Sequence, residues 1–341
     1  MQKMVTKILF RCNAGEKYGF GHLTRCLALS ETFEGENIQT FFLIKTDEKS
    51  TISNFLTMEG IRPSKYIFIP DDTTNSNDLS KIVEIYKNGY SFLVIDHYDH
   101  DLIYQESLKE EKIKWAQFDY KANEKILANM VINGNISANK EMYKNIISQN
   151  TLQCVGYQFA ILRKSFLNQF AIPQKNRILI ALGGGLYPAE LINMVKLITD
   201  QQLFDFEIIT NDIRLQKLFN NRPNVRVYIN TNNVIPIYKK CECAIVAGGV
   251  TTYEVAALNI PMLIIPYVEN QIWNAIAWDR NNFAISFKDP LHFEEILNKF
   301  GLANLINKLF KKFEKKTIQI DGLGATRIKN IIIKTITQNE K

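Results

Sequence analysis

The run Gly19-Phe20-Gly21-His22-Leu23-Thr24-Arg25-Cys26 decides how this chain is read. An apolar stretch, residues 5–10, precedes it and reads as a buried strand. Residues 23–33 follow with apolar positions at helical spacing. The unit is therefore strand, loop, helix, with two glycines and a histidine in the turn. Glycine lets the backbone come close to a ligand. A helix N-terminus offers free N–H groups and a positive dipole end, which suits a phosphate. His22 would stand at the C-terminal edge of the first strand of an open α/β sheet, where such sheets bind ligands. One glycine-rich turn is weak evidence, and its weight comes from a second region, Gly183-Gly184-Gly185, far along the chain.

Outward from that stretch, short apolar runs alternate with helical patterns. Residues 38–44, 66–69, 91–95, 115–118 and 130–132 read as strands, with helical spacing at 79–86 and 102–112. Polar residues around Pro173, at 171–176, read as a linker. The alternation then restarts with strands at 177–182, 206–209, 225–229, 243–246 and 262–265, and helices at 188–197, 250–258 and 271–278. A long helical pattern at 291–313 has a break near Gly301, and a last helix at 321–336 opens on Asp321-Gly322-Leu323-Gly324. Such alternation means βαβ units and parallel sheets. The expectation is an α/β protein of two Rossmann-like domains with an interdomain cleft: residues 1–170, carrying the catalytic histidine, and 177–315, binding the nucleotide. Residues 316–341 form a C-terminal segment whose helix packs back on the first domain.

Length and composition agree with this. A chain of 341 residues is too long for one ordinary core and suits two domains. With 46% hydrophobic and 22% charged residues it belongs with folded globular proteins. The net charge of +6, from 41 basic and 35 acidic residues, is small, and much of it lies at 308–316 and in the tail, where it reads as a solvated helix face. No nucleic-acid motif is present, and no apolar run approaches the ~20 residues of a membrane helix. Cys12, Cys26, Cys154, Cys241 and Cys243 form no disulfide or zinc framework and read as reduced thiols of a cytoplasmic protein. The opening Met1-Gln2-Lys3-Met4 runs straight into a strand, so no signal peptide is expected.

Three further stretches bear on chemistry. Gly183, Gly184 and Gly185, between a strand and a helix, suit a diphosphate cradle; the bland alternative is a flexible turn. From Ala247 to Ala275, Gly249, Val250 and Thr251 open a helix that carries Glu254, whose carboxylate can accept two hydrogen bonds from a ribose diol. Alone, Glu254 would be a first-turn glutamate complementing the dipole. Asn270 and Gln271 follow the next strand and can bond sugar hydroxyls or phosphate. The run Asp96-His97-Tyr98-Asp99-His100-Asp101 is rich in metal-ligand types. Adjacent strand residues point to opposite faces, however, so few can converge, and a loop at the sheet edge is the better reading. No metal or cofactor is expected.

At this point the sequence becomes recognisable. The segment 247–275 resembles the nucleotide-binding half of GT-B proteins. The whole set of pieces resembles the UDP-sugar hydrolases of the pseudaminic acid pathway and their spore-coat-polysaccharide relatives. Those pieces are Phe10-Arg11 with the opening run, Val94 to Tyr98, Phe118-Asp119, residues 156–163, Gly183-Gly184, Glu254 with Asn270-Gln271, and Asp321-Gly322-x-Gly324-Ala325-x-Arg327. The resemblance covers almost the whole chain. It implies a GT-B fold and a metal-independent hydrolase that removes UDP from a 2,4-diacetamido-2,4,6-trideoxy sugar. It further implies His22 as the general base on the attacking water. Arg11, Asn13, Gly19, Gly21, Arg25, Asp96, His97 and Tyr98 would surround the sugar.

The chain departs from that family at two places. An aspartate is usual where Asn13 stands, and asparagine cannot stabilise an imidazolium by charge. The glycine turn usually continues with a hydroxyl residue and an aspartate; here it continues Gly185-Leu186. Two rivals to the hydrolase therefore stand. One is an inverting glycosyltransferase in which His22 deprotonates a sugar hydroxyl. The other is a nucleotide-sugar binder without turnover.

Overall fold

The computed structural model describes residues 5–183, 185–231 and 233–337. The expected Gly184 lies outside them. The chain divides into two units: unit 1 takes the chain through Lys164 and resumes at Leu323, and unit 2 is Ser165–Gly322.

Unit 1 begins with β1 (Thr6–Asn13), α1 (Gly21–Glu31), β2 (Ile38–Lys45), α2 (Lys49–Met58), β3 (Tyr66–Ile69) and α3 (Asn75–Tyr86). It continues with β4 (Phe92–Asp96), α4 (Leu102–Glu110), β5 (Trp115–Phe118), β6 (Met130–Asn133) and β7 (Leu152–Val155). The seven strands form one parallel sheet in the order β3-β2-β1-β4-β5-β6-β7. Strands buried on both faces read as continuous apolar runs, as in the Phe92–Ile95 portion of β4. Ile8, Phe10 and Cys12 pack on one face with Leu23, Cys26 and Leu27 of α1. Leu9, Leu93 and Ile95 pack on the other with Ile82 of α3 and Tyr104 and Leu108 of α4.

Unit 2 runs β8 (Arg177–Ala181), α5 (Ala189–Thr199), β9 (Asp205–Thr210), α6 (Ile213–Phe219), β10 (Val225–Ile229), α7 (Ile235–Tyr238) and β11 (Cys243–Val246). It ends with α8 (Thr251–Ala257), β12 (Met262–Ile264), α9 (Glu269–Arg280), β13 (Ala284–Ser286), α10 (Pro290–Phe300) and α11 (Leu302–Phe313). Its six strands are also all parallel, in the order β10-β9-β8-β11-β12-β13. Gly301, at φ 73°, separates α10 from α11 where the helical pattern breaks. Residues 171–176 are tied to unit 2 by backbone bonds from Ile172 to Lys239 and from Gln174 to Lys240, both 2.8 Å.

The chain then returns to unit 1 as α12 (Gly324–Thr337). Ile328, Ile332 and Ile336 recur every fourth residue, one face of a helix, and join the core that holds Phe10 and Leu23. A Cβ on Gly324 would lie 2.1 Å from the Ala160 carbonyl oxygen, so only glycine permits this approach.

In each sheet, strand order reverses at one place: between β1 and β4 in unit 1, and between β8 and β11 in unit 2. The C-terminal ends of strands at such a reversal leave a crevice, the usual ligand position of open α/β sheets. The His22 turn and the end of β4 flank the first reversal. The Gly183 turn and Ala247-Gly248-Gly249 flank the second.

Candidate active site

The β1–α1 loop is a built structure. Gly15 and Gly19, at φ 130° and 71°, close it with an antiparallel bridge. Lys17 pairs with Asp71 at 2.7 Å, the Tyr18 hydroxyl donates to the same carboxylate, and the Glu16 N–H donates to Glu48. The helix begins at Gly21, two residues before the sequence reading placed it, so His22 lies in its first turn.

His22 is 4% exposed. Its Nδ1 lies 2.6 Å from Oδ1 of Asp96, the last residue of β4, which is 1% exposed and paired in register with Cys12. Arg25 is three residues on, on the same face of α1. It grips Asp96 with two bonds, Nε to Oδ2 at 3.0 Å and Nη2 to Oδ1 at 2.9 Å. Its guanidinium also sits 5.5 Å over the Phe118 ring. Burial would raise the Asp96 carboxyl, but Arg25 and His22 outweigh it and hold it below the usual carboxylate range. An ionised carboxylate only accepts, so the His22 Nδ1 must donate to it. The acceptor nitrogen of the neutral ring is then Nε2. That atom bonds to no described residue. The Tyr98 ring meets His22 edge-on at 4.7 Å and Tyr120 at 5.1 Å.

Arg11, Asn13 and His97 stand elsewhere. Their side chains leave the sheet on the α3/α4 face, whereas Asp96 points to the α1 face, because side chains alternate along a strand. Arg11 is fully buried and bonds Asp78 of α3 at 2.8 Å and the Asn13 side-chain oxygen at 2.8 Å. Expected beside the sugar with His22, these three side chains lie on the face of the sheet opposite Asp96. The carboxylate that meets His22 is Asp96, and the Asn13 side chain accepts from Arg11. His97 accepts from the Asp99 N–H at 3.1 Å, and its rings neighbour His100 and Tyr104. Burial, then the charge of Arg11, pushes His97 well below its ordinary value, so it is neutral. The rest of that run also disperses. Asp99 lies 3.8 Å from Lys45, and Asp101 caps α4 through the Tyr104 N–H at 2.8 Å. Among the described residues no three His, Cys, Asp and Glu side chains are grouped to hold a metal ion. All five cysteines are buried free thiols.

In unit 2, Gly183 has φ 118°, and a Cβ there would lie 3.0 Å from the Tyr267 hydroxyl. Gly185 is exposed with open space around it. Two residues that sequence reasoning passed over hold this turn. The Tyr187 hydroxyl donates to the Gly183 carbonyl at 3.2 Å, and the Tyr187 N–H donates to the buried Asp212 at 3.0 Å. At the end of β11, Gly248 is pressed against α9, where a Cβ would come 2.5 Å from the Gln271 carbonyl oxygen. Gly249 faces open space, Val250 is exposed, and Thr251 begins α8. Glu254 is half-buried and receives the Tyr238 hydroxyl at 3.3 Å. Asn270 is exposed on the first turn of α9, whereas the Gln271 Oε1 accepts from the Tyr267 N–H at 3.0 Å. Asn274, also missed, ties the loop together: it donates to the Gly248 carbonyl at 2.6 Å and accepts from Tyr253 at 2.8 Å. Its position one turn after Asn270 on the same helix was the available signal.

Solved structures share this chain's fold over nearly its whole length. The S. aureus MnaA–UDP co-structure matches 97% of both chains with a TM-score of 0.67 at 10% identity. MurG of Acinetobacter baumannii matches 96% of this chain and 99% of its own with a TM-score of 0.63 at 13% identity. The fold is GT-B. No protein-family model matches the chain. Among curated proteins, it is 25% identical over 273 residues to the pseudaminic acid cytidylyltransferase and UDP-2,4-diacetamido-2,4,6-trideoxy-beta-L-altropyranose hydrolase of Helicobacter pylori. That match takes in 80% of this chain but 46% of the relative, so the chain spans about half of that two-activity protein. It is 20% identical over 292 residues to the Campylobacter jejuni hydrolase of the same compound, 83% of this chain and 99% of that one. The Bacillus subtilis spore coat polysaccharide biosynthesis protein SpsG is 24% identical over 279 residues, 76% of this chain and 77% of its own. The GT-B chain described here is thus similar to hydrolases of a UDP-activated diacetamido sugar.

Proposed function

We propose that this chain hydrolyses a UDP-activated 2,4-diacetamido-2,4,6-trideoxy sugar to UDP and the free sugar. The observation that carries the reading is the placement of His22: Nδ1 lies 2.6 Å from the ionised Asp96 carboxylate, which leaves Nε2 as the nitrogen that can accept a proton. A neutral imidazole so oriented is a general base, and such a base contributes about 10²–10⁴-fold. Nε2 takes a proton from water as the water oxygen bonds the anomeric carbon. The bond from that carbon to the diphosphate oxygen breaks, and UDP leaves with the electron pair. Asp96 keeps the ring in the working tautomer and faces the imidazolium without taking its proton. In unit 2 the Gly183 turn and the open backbone at Gly249 suit a diphosphate, and Glu254 suits a ribose diol. The relatives named as hydrolases of this compound support the choice of sugar and of water as acceptor.

Incubation with a panel of UDP-sugars in ¹⁸O-water tests this. Release of UDP with ¹⁸O in the free sugar is expected for the diacetamido-trideoxy compound. Binding of that compound without release, or transfer only to an added sugar acceptor, overturns the hydrolase reading.

A further inference from the structure

We propose that Tyr120 is a specificity-determining residue whose ring extends that of Tyr98 into an aromatic wall beside His22 for the apolar side of the sugar. The inference rests on the sugar-site reading above and concerns a residue outside the motifs of the opening run and of β4.

Three rings follow one another edge to face, His22, Tyr98 and Tyr120, at 4.7 and 5.1 Å. His22 is 4% exposed, whereas Tyr98 and Tyr120 beyond it are 54% and 37% exposed. The wall thus starts at the base and opens toward solvent. Its outer end is fixed from behind. Asp119, the neighbour of Tyr120, accepts from the buried Tyr143 hydroxyl at 2.6 Å and from the Ala122 N–H at 2.9 Å. Tyr143 in turn accepts from Asn133 of β6 at 2.7 Å. These bonds fix the Asp119 position from which Tyr120 projects, and a site built on a fixed backbone loses less freedom on binding. Burial raises the Tyr98 hydroxyl above its ordinary value, so the hydroxyl is neutral.

Exposed aromatic rings on a fixed loop gain by covering apolar surface. Most hexoses offer little such surface. A trideoxy sugar with two acetamido groups offers a methyl at C6 and two acetyl methyls, and a UDP-sugar with a hydroxymethyl at C6 offers less. The wall therefore favours the deoxygenated sugar over its hydroxylated counterpart.

Calorimetric affinities of UDP, UDP-N-acetylglucosamine and the UDP-diacetamido-trideoxy sugar test this, each measured in a His22→Asn background with Tyr120, Tyr120→Phe or Tyr120→Ala. An aromatic contact of about 0.5–1.5 kcal/mol corresponds to roughly 2- to 12-fold in affinity. Tyr120→Ala should lose that factor for the trideoxy sugar, keep its UDP affinity, and narrow the preference over UDP-N-acetylglucosamine. Tyr120→Phe should behave as the parent. Unchanged affinity for the trideoxy sugar in Tyr120→Ala overturns the proposal. So does an equal loss for UDP alone, an equal loss in Tyr120→Phe, or a parent that binds the trideoxy sugar no better than UDP. Turnover by the wild-type protein is scored separately, so a chain that binds without hydrolysing refutes the hydrolase reading and leaves the affinity comparison decisive for Tyr120.

Discussion

Asp96 is one carboxylate shared by His22 and Arg25, and that sharing shapes what His22 can do. Its Oδ1 lies 2.6 Å from the His22 Nδ1 and 2.9 Å from the Arg25 Nη2, so one oxygen positions both side chains. Orientation of the ring is then the larger part of what Asp96 contributes. His22→Ala should lower turnover about 10²–10⁴-fold, the range of a lost general base, with UDP affinity within twofold of wild type by titration calorimetry. Asp96→Asn should lower kcat by at least about tenfold, because Arg25 would take the amide oxygen and leave its N–H₂ against Nδ1, reversing the tautomer. Wild-type kcat in either variant removes the pair from the mechanism. His22 and Arg25 were legible from spacing alone, since three residues in a helix share a face. Their shared carboxylate was legible only as a candidate. Which face of β4 Asp96 occupies depends on how β4 pairs with β1, and that pairing sets Asp96 opposite Cys12, far back in the chain. The same register moves Arg11, Asn13 and His97 away, so the position that looked like a weakened charge partner is a prop for a buried arginine.

Elements were read well where their signal is local. Among the described residues, continuous apolar runs and helical spacing found eleven of the thirteen strands, all but β1 to within a residue or two of their ends. The β7 and β13 strands, α2, α6 and α7 were not found. They are short or polar, and their place is set by the sheet edge or helix face they join. The glycines separate by what surrounds them. Gly324→Ala would drive a Cβ against the Ala160 backbone, and Gly248→Ala against that of Gln271. Each should lower stability by about 1–3 kcal/mol in denaturant titrations, the cost of overpacking. Gly21 has nothing within 4 Å of the added carbon. Gly21→Ala should leave stability unchanged or raise it by up to ~1 kcal/mol, as expected for removing a helical glycine.

Across the whole molecule, His97, His100 and Asp96 make stability depend on pH in two separate windows. Burial holds His97 well below 6.5 and lowers His100 as well. As pH falls through 6.5 the unfolded chain gains protons that the folded chain refuses, so stability is full above 6.5 and declines below it. Each such histidine adds a slope of about 1.4 kcal/mol per pH unit until its folded value is reached. Asp96, held below 3.8, adds nothing there; its contribution is present above 3.8 and is lost as pH falls further. Denaturant midpoints between pH 7 and 5 should decline, and His97→Asn should reduce that slope by one proton. An unchanged slope would mean that His97 titrates normally in the folded chain.

The return of α12 to unit 1 has a consequence for the order in which the chain matures on the ribosome. Unit 2, Ser165–Gly322, is synthesised as one uninterrupted piece and has all its strands before α12 exists. Unit 1 is begun first yet waits for Ala325, Ile328 and Ile332 to cover Phe10 and Leu23. During translation of all of unit 2, the sheet that will carry His22 has one apolar face partly bare. The nascent chain thus finishes its second half before its first, and the segment most in need of chaperone cover is the one nearest its beginning.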